Sequence, residues 1–332
     1  MSKQNVAIVG ATGAVGTEFL RVLSKRKFPI NQLKLFAHES EAGTKITYEG
    51  ESLVVEAIKD DSFKGVDIAL FSAGGGVSQE LAPLAVKSGA IVVDNSSAFR
   101  MDEDVPLVVP EVNPEDIKKH KGIIANPNCS TIIMVVVLNP IHKLSRIKRV
   151  VASTYQAVSG GGALAMAECI EQAKQYLAGE KVRVERFAHQ IAFNLIPHID
   201  VFQENGYTKE EMKMVLETRK ILHDPEMRIA ATTVRVPVLR SHSESLNIET
   251  ERPLSVEEIR TALAKAPGVI VEDDPANKIY PMPLFRAERD DVSVGRIRKD
   301  LSCENGINLW VSGDQILKGA ALNAVQIAEH LI

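Results

Sequence analysis

Short, almost uninterrupted apolar segments alternate with amphipathic segments near the start of the chain, and this alternation constrains the fold most strongly. The segments with the length and β-branched content of buried strands are residues 6–9, 33–37, 66–71 and 91–93. Between them, residues 15–23 and 79–86 carry apolar side chains at helical spacing. This alternation is typical of a parallel sheet covered by helices on both faces. It predicts an α/β fold with a Rossmann-like sheet, which binds ligands beyond the carboxyl ends of its strands.

Beyond about residue 128 the pattern changes to longer strands. The strand-like segments there are residues 147–154, 229–238, 292–298 and 307–311, with helical patterns at 163–177 and 209–222. They predict an α+β domain on a mixed sheet, which serves as substrate platform and subunit interface. The apolar face of a final helix, residues 319–332, is expected to fold back on the first domain. At 332 residues the chain is long enough for two domains. We predict a cofactor domain at 1–128, completed by 313–332, and a catalytic and dimerisation domain at 129–312.

Composition excludes several classes of function. The 39 Lys and Arg residues against 43 Asp and Glu residues give a net charge of −4, which does not favour nucleic acid or an anionic membrane as partner. The longest apolar run, residues 132–138, is far shorter than the about 20 residues that span a bilayer. The three cysteines form no C-x-x-C motif and predict a reducing compartment without a structural metal site. No signal peptide is recognisable. We therefore expect a cytoplasmic protein that binds small molecules.

A glycine-rich loop follows the first strand and leads into the first helix, with the sequence GATGAVG at residues 10–16. Glycines allow a sharp turn and a close approach to a pyrophosphate, whose charge the free N–H groups of the helix N-terminus bind. The spacing is G-x-x-G-x-x-G rather than the usual G-x-G-x-x-G, so a tight turn without a ligand is the alternative. The candidate cofactor residues in this loop are Gly10, Thr12, Gly13, Ala14, Val15 and Gly16.

The second strand ends where a dinucleotide enzyme contacts the adenosine ribose. Glu39 lies 23 residues after Gly16, and a carboxylate at about this distance binds the 2′-hydroxyl of NAD and repels the 2′-phosphate of NADP. His38, Ser40 and Lys45 could instead bind a phosphate if the Glu39 side chain turns outward. A solvent-exposed loop carboxylate without a ligand is the third possibility.

Cys129 is the candidate nucleophile. Asn128 is a favourable residue before a helix, so that Cys129 falls in the first turn of the apolar helix that includes residues 132–138. The helix dipole and free N–H groups there stabilise a thiolate and could also stabilise an oxyanion on a carbonyl bound to sulfur. The alternative is a buried, inert cysteine, which is the reading we give to Cys169. Cys303, near a turn, has no assigned role.

Together these features resemble the bacterial aspartate-semialdehyde dehydrogenase family over essentially the whole chain. Each segment alone is weak, but their order makes the match specific. The matching segments are GATGAVG (10–16), VDNSSAFR (93–100), VPEVN (109–113), NPNCST (126–131), TYQAVSGGG (154–162), NLIPH (194–198), EEMK (210–213), RVPV (235–238) and RSHSE (240–244). The resemblance implies NADPH-dependent reductive dephosphorylation of L-aspartyl 4-phosphate to L-aspartate 4-semialdehyde. This step leads to lysine, threonine, methionine and diaminopimelate.

The resemblance also implies roles for individual residues. Cys129 would form a thioester with the substrate, and His242 would be the acid–base, since an imidazole titrates near neutrality. Because Cys129 and His242 are far apart in sequence, only tertiary folding can bring them together. The implied substrate contacts are Arg235 (α-carboxylate), Glu210 (α-ammonium), Arg100 and Lys213 (phosphate), Gln156 and Asn128. The implied cofactor contacts outside the first domain are Ser159, Gly160 and Gln315.

One departure from the family concerns the cofactor. The family usually carries an Arg-Ser pair for the 2′-phosphate, and here these positions are Ser40 and Glu41. We predict NADP from the resemblance, with contacts at Ser40 and Glu41, and leave NAD or dual use open. The resemblance further implies a homodimer or homotetramer formed through the second domain.

Several other functions remain to be distinguished. N-acetylglutamyl-phosphate reductase has a similar plan, but its substrate nitrogen is uncharged and would give Glu210 no purpose. Glyceraldehyde-phosphate dehydrogenase fits less well, because its cysteine and histidine lie much closer together in sequence than Cys129 and His242 do here. A non-catalytic dinucleotide-binding protein would bind cofactor without turnover, and a thiol-dependent hydrolase would act without nicotinamide. Assays of both acyl phosphates with each nicotinamide cofactor separate these possibilities.

Overall fold

The computed structural model describes residues 2–332, which fold into two units. The first unit runs to Asn128 and resumes at Ala320, whereas the second runs from Cys129 to Gly319. Residues 313–319, predicted to belong to the first domain, lie in the second unit of the structure. The reason is that Gly313 is still hydrogen-bonded in the last strand of that unit's sheet, opposite His242.

The first unit is an α/β unit on a mainly parallel sheet. Its elements before residue 128 are β1 (Gln4–Val9), α1 (Ala14–Lys25), β2 (Ile30–Ala37), β3 (Lys45–Tyr48), β4 (Glu51–Ala57), β5 (Ile68–Phe71), α2 (Gly75–Lys87), β6 (Ile91–Asp94) and β7 (Ile123–Ala125). The strand order is β3-β4-β2-β1-β5-β6-β7, and only the pairing of β3 with β4 is antiparallel in the described residues. The predicted Rossmann-like parallel sheet is confirmed.

The apolar sequence pattern depends on how deeply each strand or helix is buried. It therefore predicts deeply buried elements and misses more exposed ones. Strands β1 and β5 lie in the middle of the sheet, and their apolar side chains are buried. Helix α1 buries Phe19, Val22 and Leu23, as the helical spacing predicts. Strands β3 and β4 lie at one side of the sheet, and in these two strands only Val55 is fully buried, so their sequences carry little apolar signal. These two strands, and the three-residue β7, are absent from the sequence analysis.

The second unit is an α+β unit on a mixed sheet, as predicted. Its elements are α3 (Cys129–Leu144), β8 (Ile147–Ala157), α4 (Ala163–Leu177), α5 (Lys209–Ile221), β9 (Arg228–Val236), β10 (His242–Thr250), α6 (Val256–Lys265), β11 (Val269–Val271), α7 (Pro283–Arg286), β12 (Val292–Lys299) and β13 (Gly306–Gly313). The strand order is β11-β12-β13-β10-β8-β9, with β8 parallel to β9, β11 parallel to β12 and the other pairs antiparallel. Strand β10 is not predicted from the sequence, because polar residues interrupt its apolar pattern.

The chain ends in a helix that belongs to the first unit. After a π-helical turn at Leu317–Ala321, helix α8 (Leu322–Glu329) packs on α1 and β6. The Asn323 amide donates hydrogen bonds to the Val108 carbonyl at 2.9 Å and to Asn126 Oδ1 at 2.7 Å. In the structure, residues from Ala320 onward belong to the first unit. Across residues 2–332, no helix combines the length and the hydropathy needed to cross a membrane.

Candidate active site

Three neighbouring strands of the second unit bring the predicted catalytic side chains together at one end of the strands. Strands β8 and β9 are parallel, and their register places Gln156 opposite Arg235 near their carboxyl ends. Strand β10 runs the other way and starts at His242, with Ser243 opposite Tyr155. The end of two strands and the start of the third therefore meet. Helix α3, whose first residue is Cys129, packs against β8 and β10.

Cys129 and His242 are in contact although 113 residues separate them. The Cys129 Sγ atom lies 3.5 Å from His242 Nε2, and the other ring nitrogen, Nδ1, accepts a hydrogen bond from the Ala157 N–H at 3.0 Å. Because Nδ1 accepts, the proton of the neutral ring is on Nε2 and faces the sulfur. Burial, and then the nearby Arg235 charge, hold the pKa of His242 well below its ordinary value. The neutral imidazole can therefore donate a hydrogen bond to a thiolate.

Arg235 brings a positive charge close to Cys129. Its Nη1 donates a hydrogen bond to the Ala157 carbonyl at 2.7 Å. Burial lowers the pKa of Arg235, while the charges of Glu210 and Cys129 oppose that shift. A guanidinium remains protonated in proteins, so this charge and the N-terminus of α3 would both stabilise a thiolate at Cys129. A Cβ atom at Gly160 would lie 2.6 Å from Nη1, which explains the glycine there.

A buried polar chain connects the other predicted substrate residues. The Gln156 Nε2 atom donates to Glu210 Oε1 at 3.0 Å and also to the Ser130 hydroxyl. Lys213 donates to Glu210 Oε2 at 3.0 Å and to Asp200 Oδ2 at 2.8 Å. Burial opposes the charge on Lys213, but the two carboxylates outweigh it and raise the pKa of this lysine. The i, i+3 spacing on α5 does place Glu210 and Lys213 together, as expected.

The loops around His242 are fixed by Gln315. Its side-chain oxygen accepts the Ser241 N–H at 2.9 Å, and its amide nitrogen donates to the Ser159 hydroxyl. Ser241 has a φ of 77°, which is rare for a residue with a side chain and accumulates at functional sites. Gln315 and Ser159, predicted as cofactor contacts, thus also hold the strained residue that precedes His242.

The other two cysteines lie outside this site. Cys169 is buried in α4 against Val158, Ile191 and Ile196, so its predicted core position is confirmed. Burial, and then Glu168, raise the pKa of the Cys169 thiol above its ordinary value. The carbonyl of Cys303 accepts the Gly306 N–H in the turn before β13. Neither thiol has the surroundings of a nucleophile.

The glycine-rich loop of the first unit has the shape of a phosphate-binding turn. Strand β1 ends at Val9, Gly13 precedes α1, and helix α1 begins at Ala14. Gly10 has a φ of 85°, and a Cβ atom there would collide with the Ser72 carbonyl. A Cβ atom at Gly16 would collide with the Gly10 carbonyl. These two glycines are required by the close approach of the backbone, and the turn leaves the N-terminus of α1 open to a pyrophosphate.

A cavity of about 690 Å³ lies beside this loop at the carboxyl ends of the strands in the first unit. Its lining residues are Val9, Gly10, Ala37, His38, Glu39, Glu41, Ala57, Ile58, Ser72, Ala73, Val77, Glu80 and Leu81. The apolar members fit an adenine ring, and the polar members at the end of β2 fit a ribose. Among these lining residues there is no Lys or Arg side chain. Ser40 lies just outside, where its hydroxyl is 2.9 Å from His38 Nδ1.

Arg100 and Asn128 belong to the first unit, whereas the Cys129 cluster belongs to the second. Arg100 is buried and donates to the Asn126 carbonyl from Nε and to the Asn95 carbonyl from Nη2, both at 2.9 Å. Asn128 is buried at the end of the unit, directly before α3. Within residues 2–332, no group of three His, Cys, Asp or Glu side chains is arranged to hold a metal ion.

Some residues of the site carry no sequence signal that would have identified them. Ala157 contributes only backbone groups, the N–H to His242 and the carbonyl to Arg235. Gly319 matters because a Cβ atom there would lie 2.9 Å from the Cys129 Cβ. The sequence around Asp200 does not distinguish it from other loop carboxylates, and only the fold places it beside Lys213. Ser130 has a sequence signal, since it directly follows the candidate nucleophile Cys129.

Comparison with known proteins agrees with this geometry. Two family models match the chain, described as semialdehyde dehydrogenase, NAD binding domain (residues 5–120), and semialdehyde dehydrogenase, dimerisation domain (residues 138–318). An aspartate-semialdehyde dehydrogenase from Aquifex aeolicus is 59% identical over 331 residues, covering 98% of this chain and 97% of that protein. The crystal structure of aspartate semialdehyde dehydrogenase II from Vibrio cholerae, complexed with ASA, has a TM-score of 0.97 at 46% identity and covers 100% of this chain and 98% of its own. The enzyme from Candida albicans with NADP has a TM-score of 0.76 at 26% identity and covers 99% of this chain and 98% of its own.

Proposed function

Since this chain belongs to the aspartate-semialdehyde dehydrogenase family, an oxidoreductase family of amino-acid biosynthesis with a nucleotide-binding domain, we propose that it reduces L-aspartyl 4-phosphate to L-aspartate 4-semialdehyde with NADPH. The observation that carries the proposal is the contact between Cys129 Sγ at the start of α3 and His242 Nε2. The test is oxidation of aspartate semialdehyde with NADP⁺ and with NAD⁺, measured with and without phosphate. Reduced cofactor that forms only in the presence of phosphate supports the acyl phosphate as substrate.

Cys129 is the nucleophile in this proposal. Its thiolate attacks the carbonyl carbon of the acyl phosphate, the bond from that carbon to the phosphate oxygen breaks, and the phosphate leaves with a proton from solvent. Cys129 then carries the aspartyl group as a thioester. A bound reduced nicotinamide supplies hydride to an acceptor of this type. When the aldehyde leaves, the sulfur returns to a thiolate, held by the helix N-terminus and Arg235.

We propose a narrower role for His242 than the acid–base role that the resemblance implies. An imidazole whose Nδ1 accepts the Ala157 N–H cannot take up a second proton without losing that bond. His242 therefore acts as a hydrogen-bond donor from Nε2, first to the thiolate and then to the oxygen of the carbonyl under attack. The proposed reaction requires no general base, because the nucleophile is a thiolate from the start. The one proton that the reaction takes from solvent goes to the departing phosphate.

His242→Gln is expected to keep much more activity than His242→Leu, because a glutamine amide can donate a hydrogen bond but cannot act as an acid–base. We expect a loss of kcat of about tenfold for glutamine and about 10²–10³-fold for leucine, as for removal of an oxyanion donor. Steady-state kinetics measure both losses. Because the pKa of His242 is lowered, its ionisation should be absent from the pH dependence of kcat near pH 6.5. Equal losses in both variants would show that proton transfer is essential.

The substrate residues follow from the charges of aspartyl phosphate. Arg235 is suited to a bidentate clamp on the α-carboxylate, and Glu210 to the α-ammonium. Lys213 balances the Glu210 charge and, with Arg100, is proposed for the phosphate. The Gln156 side-chain amide, which is bonded to Ser130, is proposed to position the substrate, and Asn128 completes the set. The positive α-ammonium group favours this substrate over an N-acetylated acyl phosphate, for which a buried carboxylate would be a poor partner.

The cofactor proposal assigns the pyrophosphate to the turn formed by Gly10, Thr12, Gly13, Ala14, Val15 and Gly16. The adenosine is assigned to the adjoining cavity, with Ser40 and Glu41 at the ribose, and the nicotinamide to Ser159, Gly160 and Gln315. The relative from Candida albicans with NADP supports NADPH as donor. Because Glu39 and Glu41 line the cavity and no arginine does, we propose that NADH is accepted as well.

Ser40→Arg is expected to raise the preference for NADPH over NADH, because it restores a guanidinium at the position where the family usually has one. We expect the ratio of kcat/KM for the two cofactors to change by about tenfold, or about 1.4 kcal/mol. Lys87→Arg, at the last residue of α2 and outside the cavity lining, is the control for an added guanidinium in the same unit. An unchanged ratio in Ser40→Arg would place the 2′-phosphate elsewhere.

We also propose that the protein is a homodimer, or a pair of such dimers, formed through the second unit, which matches a dimerisation-domain model. The sheet face opposite His242 supports this, because Tyr155 and Trp310 pack together there with ring centroids 5.3 Å apart while remaining partly exposed. The reaction is assigned to a reducing compartment, the cytoplasm, because the nucleophile must remain a thiol.

A further inference from the structure

Glu244 is a buried acidic side chain that the reaction above does not use. It lies in β10, two residues after His242, with none of its surface exposed. Neither carboxyl oxygen has a hydrogen-bond partner among the described residues. An ionised carboxylate without partners is very costly in a protein interior, whereas a neutral acid costs less but still needs hydrogen bonds. Burial raises the pKa of Glu244 well above its ordinary value.

The residues next to Glu244 on the neighbouring strands also have buried polar groups without hydrogen-bond partners. The register places Glu244 opposite Thr154 of β8, and Thr154 opposite Thr233 of β9. The hydroxyls of both threonines are buried without a hydrogen-bond partner in residues 2–332, as is Oε1 of Gln156. Alternate residues of a strand share a face, so Glu244, Thr154 and Thr233 lie on the same face as His242, Gln156 and Arg235. They form one row, here called the threonine row. It lies directly next to the row formed by His242, Gln156 and Arg235, here called the catalytic row.

The sheet does not require polar residues at this depth. One step further along the same face, Leu246 pairs with Ala152, and Ala152 with Ala231, and all three are buried. An apolar row is therefore compatible with the packing, and the polar groups occur where the face adjoins the catalytic residues. Buried water typically bonds about three polar groups that would otherwise be unsatisfied. A carboxyl group, two hydroxyls and an amide oxygen in adjacent positions provide such a site.

We propose that Glu244 is a neutral carboxylic acid that binds ordered water together with Thr154 and Thr233, and that this water fixes the Gln156 amide. Gln156 already commits its Nε2 to Glu210 and Ser130, so a donor at Oε1 would determine which way the amide faces. Glu244 is thus a positioning residue that acts through Gln156. The kinetic part of this inference rests on the proposed function; the protonation state and the water do not.

The titratable or charged groups closest to this row on the neighbouring elements are His242 on β10, Arg235 on β9, Cys129 on α3, and Glu210 and Glu211 on α5. Glu211 is buried, and its Oε1 accepts the Thr233 N–H at 2.9 Å. Of these, Arg235 and Glu210 have opposite charges and His242 is neutral. The cause of the raised pKa of Glu244 is burial, and no charged neighbour contributes to it. The inference therefore predicts that removing the proton-binding capacity of Glu244 leaves the pH dependence of kcat unchanged.

Two replacements of Glu244 with side chains of similar size separate its hydrogen-bonding role from its contribution to core packing. Glu244→Gln keeps a neutral, hydrogen-bonding side chain, and we expect kcat and KM within about threefold of wild type. Glu244→Leu removes the polar groups and displaces the water, and we expect kcat to fall at least about tenfold while cofactor binding is unchanged. Leu246→Val, in the neighbouring apolar row, is the control for a general loss of core packing. Should Glu244→Leu not fold, Thr154→Val and Thr233→Val each test the water site, with an expected loss of about threefold or more.

Infrared spectroscopy provides a readout that does not depend on activity. The difference spectrum between wild type and Glu244→Gln at neutral pH should contain the carbonyl band of a protonated carboxylic acid. A carboxylate band in its place would overturn the proposal, as would a shifted pH profile in Glu244→Gln. Wild-type kcat in Glu244→Leu would also overturn it. Failure of the proposed function is recognised separately, since wild type would then lack phosphate-dependent activity while the infrared band remained.

Discussion

Cys129→Ala is expected to lower kcat for phosphate-dependent oxidation of aspartate semialdehyde by at least about 10⁴-fold, or about 5 kcal/mol in transition-state stabilisation. No thioester can form without the sulfur, and the neighbouring His242 and Arg235 cannot replace it. The structure allows this large effect to be specific, because Cys129 occupies the first position of α3 and a change to alanine leaves the helix intact. Steady-state kinetics and mass spectrometry of the acylated enzyme measure the loss.

The control for this substitution is Cys303→Ala. Cys303 lies in a turn before β13, away from the catalytic row, and its replacement should leave kcat unchanged. The dissociation constant of the cofactor should be the same in Cys129→Ala and wild type, since the proposed cofactor loop belongs to the first unit. Residual turnover above about one percent in Cys129→Ala would exclude this sulfur as the nucleophile.

Arg235→Lys is expected to raise KM for aspartate semialdehyde about 100-fold, or about 2.7 kcal/mol, with a smaller change in the cofactor dissociation constant. Lysine retains the positive charge, but a single ammonium cannot make the paired hydrogen bonds of a guanidinium to a carboxylate. It also cannot easily keep the bond to the Ala157 carbonyl while reaching the substrate. Initial rates over a range of substrate concentrations give KM and kcat separately.

Arg149→Lys is the matched control, because Arg149 lies near the start of β8 on an exposed part of the sheet. Its substitution should change neither KM nor kcat. Equal losses of substrate and cofactor binding in Arg235→Lys would mean that the substitution disturbs the fold around Gly160 rather than the substrate clamp.

Local sequence patterns were sufficient for the overall plan of this protein. The apolar alternation predicts the parallel sheet because central strands such as β1 and β5 are buried on both faces. The glycine spacing predicts the turn because Gly10 and Gly16 have no room for a side chain. Cys129 can be located at a helix start because the signal lies in its immediate neighbours. In each case the physical cause acts within a few residues of the chain.

Roles for residues distant in sequence could be assigned only from family resemblance. Nothing within a few residues of His242 indicates that it contacts Cys129, and the residue would otherwise be read as a surface histidine between two serines. Strand β10 itself escapes the pattern, because Glu244 is buried where an exposed residue is expected. Its register with β8 is what brings His242 beside Gln156 and the sulfur.

The sequence by itself determined the two-domain α/β plan, the glycine-rich turn and the position of Cys129 at a helix start, since these depend on side-chain size, spacing and helix termini. Tertiary structure alone decided the tautomer of His242, through one N–H of Ala157, and the isolation of the Glu244 carboxyl among threonines. Both depend on which backbone groups and side chains lie across the sheet. That register results from the packing of the whole second unit and has no local signature in the chain.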